Sequence, residues 1–163
     1  MTDAQQASGE YQDPHTDYFA YGSNLSLIQI ARRCPGTEII GRATLPDHRL
    51  IFPIQSGDWL GGVASIEEAT GRRVEGMIYR LNDEHLAALD EYEAVAEGLY
   101  RRETVTVITP GQTTVEAMTY IAAPDPEGPF APSAQYLSTI LSGAADHEFP
   151  QDYIDWLLSI ETL

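Results

Sequence analysis

Apolar positions recur along this chain in two rhythms, and the alternation between them sets out its elements. Residues 17–22, DYFAYG, are a short apolar run that predicts a buried strand. It passes without pause into residues 25–34, LSLIQIARRC, where Leu25, Ile28 and Ala31 share one helical face with Ile30 beside it. Arg32 and Arg33 fall in the last turn, where positive charge suits the helix dipole, and Pro35-Gly36 ends the helix. Strand-like runs follow at 37–45, 48–54, 61–69 and 74–81. Pro46-Asp47 and the TGRR segment read as turns between them, so the spacing predicts largely antiparallel pairing.

A helical rhythm returns at 82–93, NDEHLAALDEYE, capped by Asn82 and anchored by Leu86 and Leu89. Residues 101–110 and 113–123 predict two strands joined at Pro110-Gly111. The proline-rich stretch 124–135 begins as loop. A helix follows over 133–143, with Ser133 as its cap, Tyr136, Leu137, Ile140 and Leu141 spaced for burial, and Gly143 as its stop. Pro150 opens a last helix held by Tyr153, Trp156, Leu157 and Ile160. The expected architecture is α+β: six or seven strands curled into an open, mostly antiparallel barrel or strongly bent sheet, with helices outside. Residues 17–163 read as a single domain, and residues 1–16, polar and poor in aliphatics, as a disordered leader.

Composition narrows the function classes. The chain has 163 residues, 43% of them hydrophobic, enough for one core. Its formal charge is −16, from 25 acidic and 9 basic residues, and every basic residue is arginine. That balance repels nucleic acid and anionic membranes, and a saline habitat or a GC-rich genome would each produce it. No apolar run is long enough to span a bilayer, and the first residues lack a secretory pattern, so a cytoplasmic location is expected. The one cysteine, Cys34, precedes Pro35 at a helix end with no base in view, which favours a structural role. His15, His48, His85 and His147 are scattered without metal-ligand spacing and read as surface or cap residues, so no metal is expected.

Two places carry candidate chemistry. Tyr21-Gly22-Ser23-Asn24 joins a strand to a helix, and such a joint either caps the helix or presents backbone N–H groups to an anion. It is not a P-loop, because no Gly-Lys-Ser/Thr follows. Ser23 also lacks the flanking glycines of a nucleophile elbow. The second place is LDEYEAV, residues 89–95. Glu91 and Glu93 read either as a solvated face or, for Glu93 beside Tyr92, Ala94 and Val95, as a carboxyl drawn into an apolar rim and suited to base chemistry near neutrality.

Taken together, YFAYGSNL, GGVASI, VEGMIYRLN, LDEYEAV, GLY and SAQY, in this order, resemble the γ-glutamylcyclotransferase family over nearly the whole chain from Tyr18. The resemblance implies an enzyme that cyclises γ-glutamyl amides to 5-oxoproline and a free amine, without cofactor. It implies that the loop of Tyr18, Phe19, Ala20, Tyr21, Gly22, Ser23 and Asn24 holds the γ-glutamyl group. Glu93 falls at the family's acid/base glutamate, Tyr136 at a tyrosine that closes over the substrate, and Tyr100 and Tyr120 at further pocket tyrosines. The surface reading is kept for Glu67, Glu68 and Glu75, and for Glu91 as a bystander. The partner expected is a small γ-glutamyl substrate, with the oligomeric state left open. Arg101, Arg102 and Arg49 are the candidates for receiving an anionic leaving portion at the mouth. A non-catalytic member of the fold and a tailoring enzyme that removes a γ-glutamyl protecting group are the alternatives.

Overall fold

The computed structural model describes residues 14–163; the leader expected over 1–16 lies, apart from 14–16, outside the described residues. Five strands close into a barrel in the order β1-β3-β2-β4-β5, where β1 is Thr16–Ala20, β2 Glu38–Ser56, β3 Gly61–Leu81, β4 Tyr100–Ile108 and β5 Thr114–Ala122. All neighbours are antiparallel except β1 and β5, which close the barrel in parallel at Tyr18 and Met118. Four helices flank it: α1 (Leu27–Arg33), α2 (Asp83–Tyr92), α3 (Ala134–Asp146) and α4 (Gln151–Leu158). The expected α+β barrel is therefore present, with five strands in place of six or seven.

The difference in count has a local cause. The two turns expected at Pro46-Asp47 and TGRR do not separate hairpins. Both lie inside one long β2–β3 ribbon, at a register shift between Pro46 and His48. Asp47 and Gly71 take positive φ there (55° and 79°), so the turn chemistry bends the ribbon and the pairing resumes beyond it. A long ribbon bent at irregularities, of which Pro46/His48 is one and Ile39/Gly41 and Ile51/Ile54 are the others, is what lets so few strands wrap into a closed barrel.

The helix starts were legible because capping is local. Asn82 accepts from the His85 backbone N–H at 2.9 Å while its own N–H donates to the His85 ring at 3.2 Å. Ser133 caps α3 through Tyr136 N–H, and Pro150 opens α4. Two expectations are corrected. In α1 the buried face carries Ile30 and then Cys34, while Ile28 is exposed, because Leu25 belongs to a separate 3-10 turn, Ser23–Leu25, and the helical count begins two residues later. Gly143 does not end α3, which runs on to Asp146. It stands mid-helix because Leu25 packs on its bare backbone: a Cβ there would lie 2.5 Å from Leu25. Cys34 is buried, with burial pushing its thiol up to about 11, in keeping with a structural role.

Candidate active site

A cavity of about 280 Å³ opens at one end of the barrel. Its lining includes Tyr18 and the Tyr21–Asn24 segment after β1, Arg33 at the end of α1, the tip of the β2–β3 hairpin (Ile54 to Trp59) with Val63 and Ala64 of β3, the end of α2 (Tyr92, Glu93), the facing ends of β4 and β5 (Tyr100, Tyr120), and the first turn of α3 (Tyr136). Such convergence of loops on a rigid scaffold is where binding sites form.

The segment after β1 is held from several sides. Tyr79 donates to the Asn24 carbonyl (2.9 Å), and the buried Asn24 side chain donates to the Tyr18 hydroxyl (3.0 Å). Asn24 Oδ1 accepts from Gln29 (3.0 Å) and Arg33 (3.2 Å), and Ser23 Oγ accepts from Gln29 (2.6 Å). Ser26, not Asn24, caps α1. Asn24 is thus free of the capping task and works as the segment's pin. The N–H groups of Gly22, Ser23 and Asn24 find no backbone acceptor in the turns and loops of the described residues, while their neighbours Leu25 and Ser26 do. Three adjacent donors without an acceptor, held rigidly beside a cavity, are equipped to receive a carboxylate or an oxyanion.

Glu93 lines the cavity from the end of α2. That helix closes with paired bonds from Ala94 N–H to Glu91 and from Val95 N–H to Asp90, with Ala94 in the left-handed region at φ 49°. This is the stop that usually uses glycine, and it fixes Glu93 as the cap residue directly after the helix. Burial pushes the Glu93 carboxyl up to about 7, and the Arg33 charge opposes part of that rise. Its place at the negative end of α2 works in the same direction as burial. Glu91 is exposed.

Besides Tyr92, five tyrosines face the same space, and their hydrogen bonds divide them. Tyr21 donates to the Tyr120 carbonyl (2.5 Å), Tyr100 to the Ala64 carbonyl (2.7 Å), and Tyr120 to Asp90 (2.8 Å). Tyr18 and Tyr136 instead accept, from Asn24 and from Ala64 N–H (2.9 Å). Burial raises the phenol pKa of all five, so each stays neutral across the ordinary pH range. The first three have spent their proton within the protein, whereas Tyr18 and Tyr136 keep theirs for a ligand.

Of the residues expected in the site, Tyr18, Tyr21, Gly22, Ser23, Asn24, Glu93, Tyr100, Tyr120 and Tyr136 meet at the cavity. Phe19 and Ala20 do not line it; they are fully buried in β1. Arg49, Arg101 and Arg102 are absent from the lining as well, being paired with Glu67, Glu103 and Asp90. Glu75, expected at the surface, is buried and bound by Thr44 and Arg73. The residues that sequence reasoning missed are Arg33 and the hairpin tip, where Trp59 stacks edge-on against Tyr136 with ring centroids 5.0 Å apart. A local signal existed for Arg33. A seven-residue helix rises only about 10 Å, so its last turn stays close to the segment that starts it. None existed for the hairpin tip, which reaches the cavity only through the closed barrel. Among the described residues no cluster of His, Cys, Asp or Glu is placed to hold a metal ion. No helix there is long and apolar enough to cross a membrane.

The chain is similar to proteins of one known family. The AIG2-like family model matches residues 73–157, which include Glu93, Tyr100, Tyr120 and Tyr136. The γ-glutamylcyclotransferases of Mus musculus and Homo sapiens are each 34% identical over 148 residues, covering 88% of this chain and 78% of theirs. A solved structure named as a γ-glutamyl cyclotransferase superposes with a TM-score of 0.88 at 32% identity, covering 92% of this chain and 90% of that one.

Proposed function

The chain belongs to the γ-glutamylcyclotransferase (AIG2-like) family and is an enzyme of that type, and on that premise we propose that it cleaves γ-glutamyl amides by intramolecular cyclisation, releasing 5-oxoproline and an amine, with Glu93 as general acid and base. The observation that carries the reading is a carboxyl raised to about 7 by burial, facing the same cavity as the acceptorless amides of Gly22 and Ser23.

Each demand of the reaction meets a group at hand. The substrate brings its own nucleophile, the α-amino group, so the protein's first task is to fold the chain until amine and γ-carbonyl meet. The cavity of about 280 Å³ suits that folding. Glu93 takes a proton from the α-ammonium, and the freed nitrogen attacks the γ-carbonyl carbon to form the ring bond. The carbonyl oxygen becomes an oxyanion on the N–H groups of Gly22 and Ser23, with the free proton of Tyr136 beside Gly22. As the intermediate collapses, the bond to the leaving nitrogen breaks. Glu93 returns its proton there and the ring nitrogen's surplus proton follows, so protons balance. Ser23 positions and does not attack.

The test is purified protein with a panel of γ-glutamyl amino acids and γ-glutamylamines, read by release of 5-oxoproline. The wild type is expected to turn over at least one class. Glu93→Gln and Glu93→Ala are expected to abolish release while both proteins keep the native melting transition. An equally active Glu93→Ala protein would sink the mechanism.

A further inference from the structure

Arg33 stands out among the arginines of this acidic chain. Arg49, Arg73, Arg80, Arg101 and Arg102 each make an ion pair with a carboxylate; Arg33, like Arg32, Arg42 and Arg72, makes none among the described residues, and of these four it alone lines the cavity. It is half-buried, and among the described residues it is the only cation lining the cavity, where Glu93 and Asp58 are the only other charged groups. One of its five N–H donors is spent on Asn24, and its plane stacks on the Tyr92 ring with the guanidinium carbon 4.3 Å from the ring centre. Stacking and a single bond fix the group's orientation and leave its remaining edge free for a planar anion.

We propose that Arg33 binds the α-carboxylate of the γ-glutamyl group, so that the head of the substrate is gripped at both charges, carboxylate on Arg33 and α-ammonium on Glu93. The inference rests on the γ-glutamyl reading. Its geometric argument is that the α-carboxylate and α-ammonium are carried by the same carbon, so the cation that binds one must stand beside the base that deprotonates the other. Arg33 meets that demand: it stacks on Tyr92, the residue before Glu93, and its charge is felt by the Glu93 carboxyl. Asn24 adds a link, since the side chain that orients Arg33 also pins the oxyanion segment.

Two measurements test it, one of them independent of turnover. Binding of 5-oxoproline and of 2-pyrrolidinone, the same ring without the carboxylate, is measured by calorimetry. The wild type is expected to prefer 5-oxoproline, and Arg33→Gln to weaken 5-oxoproline on the order of 10- to 100-fold while leaving 2-pyrrolidinone unchanged. Arg33→Lys is expected to recover part of the loss. In turnover, Arg33→Gln should raise KM by a similar factor for a γ-glutamyl amino acid and for a γ-glutamyl alkylamine, which has no leaving carboxylate. A rise confined to the amino-acid substrate would assign Arg33 to the leaving portion and overturn the proposal, as would unchanged 5-oxoproline binding in Arg33→Gln. Absence of turnover in the wild type, with carboxylate-dependent binding intact, would overturn the cyclisation reading and leave the carboxylate site standing.

Discussion

The Tyr136 hydroxyl accepts a hydrogen bond from the backbone N–H of Ala64 at 2.9 Å, so its own proton is left for the cavity. The carbonyl of the same residue takes the proton of Tyr100 at 2.7 Å. Two tyrosines therefore clamp Ala64 with opposite polarity, and only Tyr136 can donate to a ligand. A Cβ at Gly22 would lie 3.4 Å from that hydroxyl, which places the free proton beside the Gly22–Asn24 segment. Tyr136→Phe is expected to lower kcat on the order of 100-fold, the scale of removing one oxyanion donor. Tyr100→Phe should cost less than about 10-fold, since its bond stays within the protein. Steady-state kinetics of the two variants decide it; equal losses would show that both tyrosines act only as scaffolding.

The pH profile follows from Glu93. As a base it must be ionised, and its carboxyl sits at about 7. The rate kcat/KM is therefore expected to rise with pH through about 7 and to level off above it. Arg33 lowers the Glu93 pKa, so Arg33→Gln should move the midpoint upward, a shift that a purely structural role would not produce. Rates measured from pH 5 to 9 in both proteins check it.

What could be read from sequence divides along the range of the interaction. The caps at Asn82 and Ser133 and the buried Leu86 and Leu89 depend on neighbours within a turn, and all four fell where expected. The β2–β3 ribbon did not, because Pro46-Asp47 carries the same turn chemistry whether the chain reverses there or only bends. The outcome depends on a partner strand whose pairing resumes at Glu68 and Glu67. Glu75 was taken for a surface carboxylate because nothing adjacent in sequence shows Thr44 bonding it across the ribbon. In the site, the Gly22–Asn24 segment and Glu93 were visible as motifs. Arg33 was visible only as a dipole-compatible helix end, and Trp59 not at all.

Gly143 offers a test of how the scaffold holds the site from outside. Leu25 directly follows the Gly22–Asn24 segment and packs, fully buried, against the bare backbone of α3 at this position. A Cβ at Gly143 would lie 2.5 Å from Leu25 backbone and side-chain atoms, so either α3 or the segment must move. Gly143→Ala is expected to destabilise the fold by about 1–3 kcal/mol, the usual cost of overpacking. It should also lower kcat/KM although residue 143 does not line the cavity. Urea unfolding together with kinetics is the measurement. A destabilised protein with unchanged kcat/KM would mean that α3 yields and the segment stays.

Glu93 should also leave a mark on stability, with a sign opposite to that of most carboxylates. Its pKa is about 7 in the folded chain against an ordinary 4.5, because burial disfavours the charged form. Between those two values the folded state holds a proton that the unfolded state has released. Stability from this group is therefore present in full below about 4.5 and is lost as pH rises through about 7. Above that, the buried charge costs about 3 kcal/mol relative to a neutral side chain. Glu93→Gln keeps the shape and removes the charge, so it should be the more stable protein at pH 8 by about 3 kcal/mol. Near pH 5 the two should be nearly equal. Urea unfolding of both at the two pH values checks this. A Gln variant no more stable than wild type at pH 8 would mean that Glu93 ionises at an ordinary carboxylate pKa, and would remove the physical basis for its choice as the base.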